Sequence, residues 1–474
     1  MGQALDNNHM LLAAGICDIC IVGGLFLLGT LVLRLILGKV DWLAIFSLSF
    51  GLGSGLFAWL LFILSWAGLL LNKTTVLGSF VALLIVLALL GWRIRRPLAE
   101  DYPAVNADGK IATWTKWGLW IVILLLVATV TFLAIGLSYF GWDDIAYWTI
   151  KGYGIALQGT VLAAANWGGN GLSYPLNIPI LISIFRILDG DLLPGSKLIY
   201  PIFFSSLLIG CYRFWVFQGL RKWVAALGVL LLGSTPILFT HAFMGYANLP
   251  FTYYMVSGLI WSIQGIQKGA TGKTLLGGML LAIAILTRPE GLIMLSVSIL
   301  SLGIACLLTA RGRLKLLPLL LPALILAVPW YIFLREHASL DVQAYQYSGL
   351  AVKALLVGDF KWPALFTLIR YVVGQVVRFR DWGFTLLLLG MLLIIGLRPR
   401  DLRHDLVKSA LFFLSVGLSL VVIGSDYMAA YTPGGSEFLY EWSSVTFTRV
   451  FMPAGICLAL LGFLVLKDLL KLQA

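Results

Sequence analysis

Along this chain, long apolar runs alternate with short connections of two kinds: some rich in Lys and Arg, others rich in Trp, Tyr, Gly and Pro. A helix that crosses a bilayer needs roughly 17–25 apolar residues. Runs approaching or reaching that length lie at 11–37, 42–71, 75–92, 117–138, 195–217, 223–240, 248–267, 274–287, 291–309, 314–334, 381–397, 406–424 and 449–466. The pattern predicts an all-α polytopic membrane protein of about thirteen transmembrane helices, with amphipathic juxtamembrane helices in the longer connections. The first run has no basic stretch before it and no small-residue cleavage site after it, and reads as a retained span rather than a signal peptide.

If the spans simply alternate, the basic connections all fall on one side. Lys39, Arg93 to Lys116, Arg221 and Lys222, Lys268 and Lys273, Arg311 to Lys315, Arg398 to Lys408, and Lys467 share it. By the positive-inside rule that side is cytoplasmic. The other side receives three long segments, 139–194, 335–380 and 425–448, whose irregular, aromatic composition suits functional loops. The organisation expected is a three-helix N-terminal extension over 1–92 and a cytoplasmic loop over 93–116. A transmembrane module over 117–334 then carries loop 139–194, and a C-terminal region over 335–474 carries the other two. No internal repeat is visible, which weakens an inverted-repeat transporter.

Composition agrees with this reading. Of 474 residues, 60% are hydrophobic and 11% charged, against roughly 25% charged in a soluble domain; mean hydropathy is +0.97. The net charge of +12 is spread over short clusters and reads as membrane topology, with no nucleic-acid partner implied. Cys17, Cys20, Cys211, Cys306 and Cys457 fall within apolar runs and imply no disulfide framework. His9, His241, His337 and His404 show no metal-ligand spacing.

Candidate chemistry lies in the outer segments. Asp143 and Asp144 stand where a span ends, followed by Tyr147, Trp148 and Lys151. On a helix starting at Asp143, positions 147 and 151 share its face, so a carboxylate, a phenol and an ammonium form one stripe. The simpler account is that Asp143 caps the helix and the aromatics belong to the interfacial belt. Two helices along the membrane surface are expected, over 143–158 and 176–189. Leu286-Thr-Arg-Pro-Glu-Gly-Leu292 places Arg288 and Glu290 at a membrane edge, either as a local ion pair or as an anion site. Arg378, Arg380 and Arg449 share that compartment. Snorkelling explains any one of these arginines; external cations beside an acidic pair suit a phosphate-bearing lipid better.

Gly-Trp-Asp-Asp with Tyr147, Trp148 and Lys151, then Gly-Tyr-Ala-Asn-Leu-Pro (245–250), Leu-Thr-Arg-Pro-Glu-Gly-Leu (286–292) and the weaker Tyr-Thr-Pro…Glu-Trp…Arg (431–449) occur in order. Together they resemble the GT-C superfamily of polytopic membrane glycosyltransferases, in particular bacterial protein O-mannosyltransferases and lipid A aminoarabinose transferases. The resemblance covers roughly residues 117–466. It implies a GT-C-like fold in a bacterial inner membrane with an outward-facing site, Asp143 as the catalytic Asp and Asp144 as the adjacent carboxylate. Two departures stand out: Asn248 where the family often has Asp, and three spans ahead of the one leading into the acidic loop.

The expected activity is inverting transfer of a sugar from a polyprenyl-phosphate donor to a hydroxyl of a lipid, glycan or protein acceptor. Asp143 would serve as general base, and Arg288 and Arg449, ahead of Lys151, would bind phosphate; no cofactor is required and no divalent cation is indicated. The rivals are a lipid-linked-oligosaccharide polymerase or ligase, centred on basic loop residues, and a transporter or flippase. The latter expects charge at mid-span positions, for which Asp18 is the clearest candidate.

Overall fold

The computed structural model describes residues 2–93, 113–137, 139, 141–169, 171–190, 195–310, 314–337, 356–376, 379–431 and 435–470. Among these every regular element is helical, the arrangement in which a chain satisfies its backbone without water. Helices α1 (Gly2–Leu37), α2 (Trp42–Trp66) and α3 (Lys73–Arg93) lead to α4 (Thr113–Gly136). A π-helical turn (Asp144–Thr149) runs into α5 (Ile150–Gln158), followed by α6 (Asn177–Leu188) and α7 (Ile199–Phe217). Next come α8 (Lys222–Gly233), α9 (Pro236–His241), α10 (Asn248–Lys268), α11 (Thr271–Ile285), α12 (Gly291–Thr309) and α13 (Leu316–Glu336). The chain finishes with α14 (Trp362–Val376), α15 (Phe379–Trp382), α16 (Thr385–Gly396), α17 (Pro399–His404), α18 (Leu406–Met428), α19 (Gly435–Val450) and α20 (Met452–Leu469).

Nine helices among the described residues are long and apolar enough to cross a membrane, which is compatible with an integral membrane protein. The expected count of about thirteen is not reached, and each shortfall has a local cause. The run 223–240 breaks into α8 and α9 at Pro236, and 274–287 yields a 15-residue helix. The run 381–397 starts in the short α15 and leaves only the 12-residue α16. The run 248–267 forms the 21-residue α10, but it carries Asn248, Tyr253, Tyr254, Ser257, Ser262 and Gln264, every one of them buried. The two tyrosines are satisfied against a neighbouring helix: Tyr253 donates to the Ser47 carbonyl at 2.8 Å and Tyr254 to the Gly51 carbonyl at 2.9 Å.

These two contacts place α2 inside the core. Helix α1 in turn packs backbone to backbone on α2. A methyl group on Gly29 would sit 1.7 Å from the Ser49 carbonyl oxygen, and one on Gly53 1.8 Å from that of Leu25. Only glycine permits so close a crossing, the small-residue packing favoured where no water drives helices together. The exposed sides of α3 and α4 are apolar, with Leu77, Val81, Ile85, Leu124, Leu125 and Phe132 all outward.

The two sets of connections gather at opposite ends of the bundle. At one end Arg213 pairs with Asp41 at 3.0 Å, Lys315 donates to the Gly269 carbonyl at 2.8 Å, and Lys467 donates to that of Gln218 at 2.8 Å. At the other, Trp66 donates to Glu336 at 3.0 Å, the Asn177 amide to the Leu286 carbonyl at 3.2 Å, and Arg449 to Asp143. Helix α6 is not a surface helix; residues 177–185 are all buried. The amphipathic helix is α14, in the segment 335–380. Its inner Ala364 and Leu368 pack with Tyr427 and Leu439, while Trp362, Phe366, Ile369 and Val373 form an exposed row at helical spacing.

Candidate functional site

The end of the bundle opposite Arg213 collects the acidic pair, two arginines and a set of aromatic rings. Asp143 has helical backbone angles (φ −65°, ψ −33°) and its side chain caps nothing, so the capping account does not hold. Its carboxylate accepts a hydrogen bond from Nη1 of Arg449, near the C-terminal end of α19. Both are partly open, with side-chain exposures of 25% for Asp143 and 13% for Arg449. The Arg449 guanidinium lies over the Tyr246 ring at 5.4 Å, and His241 meets that ring edge-on at 5.5 Å.

Asp144 faces the other way and is fully buried. The π-helical turn explains how: its wider winding brings Thr149, five residues on, over Asp144, and Thr149 Oγ1 donates to Asp144 Oδ1 at 3.0 Å. Such turns, rare in general, concentrate at functional sites. A methyl group on Gly245 would stand 1.7 Å from the same Oδ1, so the glycine before Tyr246 is what lets that turn close on Asp144. Tyr200 holds the turn from beneath, donating to the Gly245 carbonyl at 2.9 Å. The buried Lys197 donates to the Leu137 carbonyl at 2.7 Å and feels the Asp144 charge. Asp144 therefore ties three segments together, and Asp143 is the acid of the pair that faces the opening.

Arg288 sits in the turn between α11 and α12 with all three of its nitrogens engaged. Nε and Nη2 donate to the two Glu290 oxygens at 3.1 and 2.8 Å, and Nη1 donates to Asn248 Oδ1 at 3.0 Å. The local ion pair thus exists. Burial by itself raises the Glu290 carboxyl, but the adjacent Arg288 charge outweighs it and holds Glu290 below its ordinary value of 4.5. Tyr174 closes the wall, stacking near Tyr147 at 5.6 Å and meeting Trp148 edge-on at 5.4 Å. Burial pushes its hydroxyl up to about 12, against the opposing charge of Arg288 and with the charges of Glu290 and Asp143 adding to the rise. It stays a neutral donor at physiological pH.

Of the residues singled out from sequence, Asp143, Tyr147, Arg288, Glu290 and Arg449 come to one place. Lys151 is buried behind them, donating to the Gly171 carbonyl at 2.6 Å and lying 5.9 Å from the Tyr174 ring centre. Arg380 is exposed on α15, and Arg378 lies outside the described residues. Four participants had no distinguishing signal. Asn248, read only as a lost carboxylate, is the acceptor that orients Arg288. Tyr174 and Tyr246 were two aromatics among many. Asp426, buried near the end of α18, accepts from Thr446 at 2.9 Å within reach of the Glu290 charge. Among the described residues no three His, Cys, Asp or Glu side chains gather as a metal site requires.

Comparison with protein-family models, with curated proteins and with solved structures finds no match to this chain. What the site can do has to be argued from its own groups.

Proposed function

We propose that the chain is an inverting membrane glycosyltransferase that moves a sugar from a polyprenyl-phosphate donor to an acceptor hydroxyl at the Asp143 end of the bundle. The observation that carries this reading is a partly open carboxylate, Asp143, paired with one arginine and near a second, at a bundle end ringed by Tyr147, Tyr174 and Tyr246. The acceptor oxygen attacks the anomeric carbon as the bond from that carbon to the phosphate oxygen breaks. The acceptor proton passes to Asp143, and the phosphate leaves as an anion steadied by Arg449 and Arg288. A phosphate leaving group needs no general acid. Aromatic faces suit both sugar rings and isoprenoid units.

On this reading the site faces outward from a bacterial inner membrane, the acceptor is a lipid, glycan or protein, and activated sugar arrives through the bilayer. Asp18, the residue that most favours the flippase alternative, packs against Gly195 just ahead of α7, where a helix N-terminus favours a carboxylate. Purified protein offered a nucleotide sugar and a polyprenyl-phosphate sugar in separate assays decides the matter. Transfer from the lipid donor alone is expected; transfer from the nucleotide sugar alone, or from neither, overturns the proposal.

A further inference from the structure

The residue proposed as base and a residue proposed to bind phosphate hold each other, and that has a thermodynamic consequence. Arg449 Nη1 donates to the Asp143 carboxylate, so a phosphate gripped by the same guanidinium is brought beside a negative charge. The groups facing Asp143 come from several elements: Arg449 on α19, Tyr246 ahead of α10, Arg288 between α11 and α12, Tyr174 ahead of α6, and Asp144 on its own turn. Glu290 and His241 act on it indirectly, through their interaction with Arg449. Arg288 already gives three of its five N–H groups to Glu290 and Asn248, whereas Arg449 is the cation that holds Asp143 itself.

We infer that phosphate and the ionised Asp143 carboxylate compete for Arg449, so that donor binding itself strengthens Asp143 as a base. This rests on the glycosyltransferase reading and adds its regulation. A phosphate that draws the guanidinium away and adds its own negative charge raises the affinity of Asp143 for a proton. Linkage makes the effect reciprocal: whatever removes the Asp143 charge must tighten phosphate binding by the same factor.

The test uses the full chain in detergent and farnesyl phosphate as probe. Two like charges sharing one guanidinium at partly buried depth are worth roughly tenfold in affinity, so Asp143→Asn is expected to bind farnesyl phosphate about tenfold tighter than wild type while Arg449→Ala binds it more weakly. A second arm needs no variant. Farnesyl sulfate keeps its charge at all pH values, and its affinity for the wild-type protein is expected to rise on acidification as the Asp143 charge is removed. Asp143→Asn, where it folds, is expected to lose that rise. Equal or weaker binding by Asp143→Asn, or a flat wild-type profile with farnesyl sulfate, overturns the inference, and the proposed function survives if Arg449→Ala still loses the ligand. No binding of either probe to the wild-type protein overturns both.

Discussion

Each end of the bundle buries an arginine against an aspartate, and the two pairs are built to different purposes. Asp41 uses one oxygen to cap α2, accepting from the Ala44 amide at 2.9 Å, and the other to accept from Arg213 at 3.0 Å. Arg213 also donates to Gln264 at 3.2 Å and lies on the Trp261 ring at 4.5 Å, with 2% of its side chain exposed. Three helices, α2, α7 and α10, meet on that one guanidinium. Asp143 caps nothing and keeps a quarter of its side chain open. A buried ion pair shared among three helices is a rivet; a pair left partly open, beside rings and a second arginine, is a site.

The comparison can be broken by exchanging the two outcomes. Asp143→Asn, which keeps the shape and removes the proton acceptor, is expected to lower turnover by about 10²–10⁴ without moving the unfolding midpoint. A fall in stability with turnover per folded molecule intact would make this end the rivet. Arg213→Ala should do the reverse, costing about 3–5 kcal/mol in a denaturant titration because it strands Asp41, with specific activity of the folded fraction unchanged. Arg288→Ala is expected to weaken farnesyl phosphate binding roughly ten- to hundredfold, with Arg288→Lys restoring only part, since an ammonium cannot reproduce the fork on Glu290 and Asn248.

Gly245→Ala sharpens the assignment of Asp144 as a tie rather than a catalyst. The added methyl must displace Asp144, at about 1–3 kcal/mol, and stability and turnover are expected to fall together. The smallest effect is on pH dependence. Glu290 is held below its ordinary value in the folded protein, so its contribution is complete above that value and is lost as pH falls through the depressed one. Wild type should therefore lose more thermal stability than Glu290→Gln on acidification through that window, and parallel curves would remove Glu290 from the balance.

Sequence was sufficient for the parts governed by long patterns: the helical class, most long apolar helices, the sorting of basic and aromatic connections to two ends, and the meeting of Asp143, Arg288 and Arg449. It failed where one residue's geometry decides. The division of labour between Asp143 and Asp144 depends on a π-helical turn, which no periodicity announces, and an α-helical wheel put Lys151 into a stripe from which that turn removes it. Asn248 looked like the absence of an acid because a motif records residue types and not hydrogen-bond direction. Helix α10 was legible as a helix, but its two buried tyrosine hydroxyls acquire meaning only through partners some two hundred residues away.

That distance matters during synthesis. The Ser47 and Gly51 carbonyls are made 206 and 203 residues before Tyr253 and Tyr254, which use them. Because α1 and α2 meet through the adjacent glycines 29 and 53, their hairpin closes on local contacts as soon as both helices have emerged. When α10 follows, a helix too polar to be comfortable in lipid alone finds a docking face already assembled. A chain begun after residue 92 would lack the Ser47 and Gly51 carbonyls, and α10 would have to bury its two tyrosine hydroxyls without them.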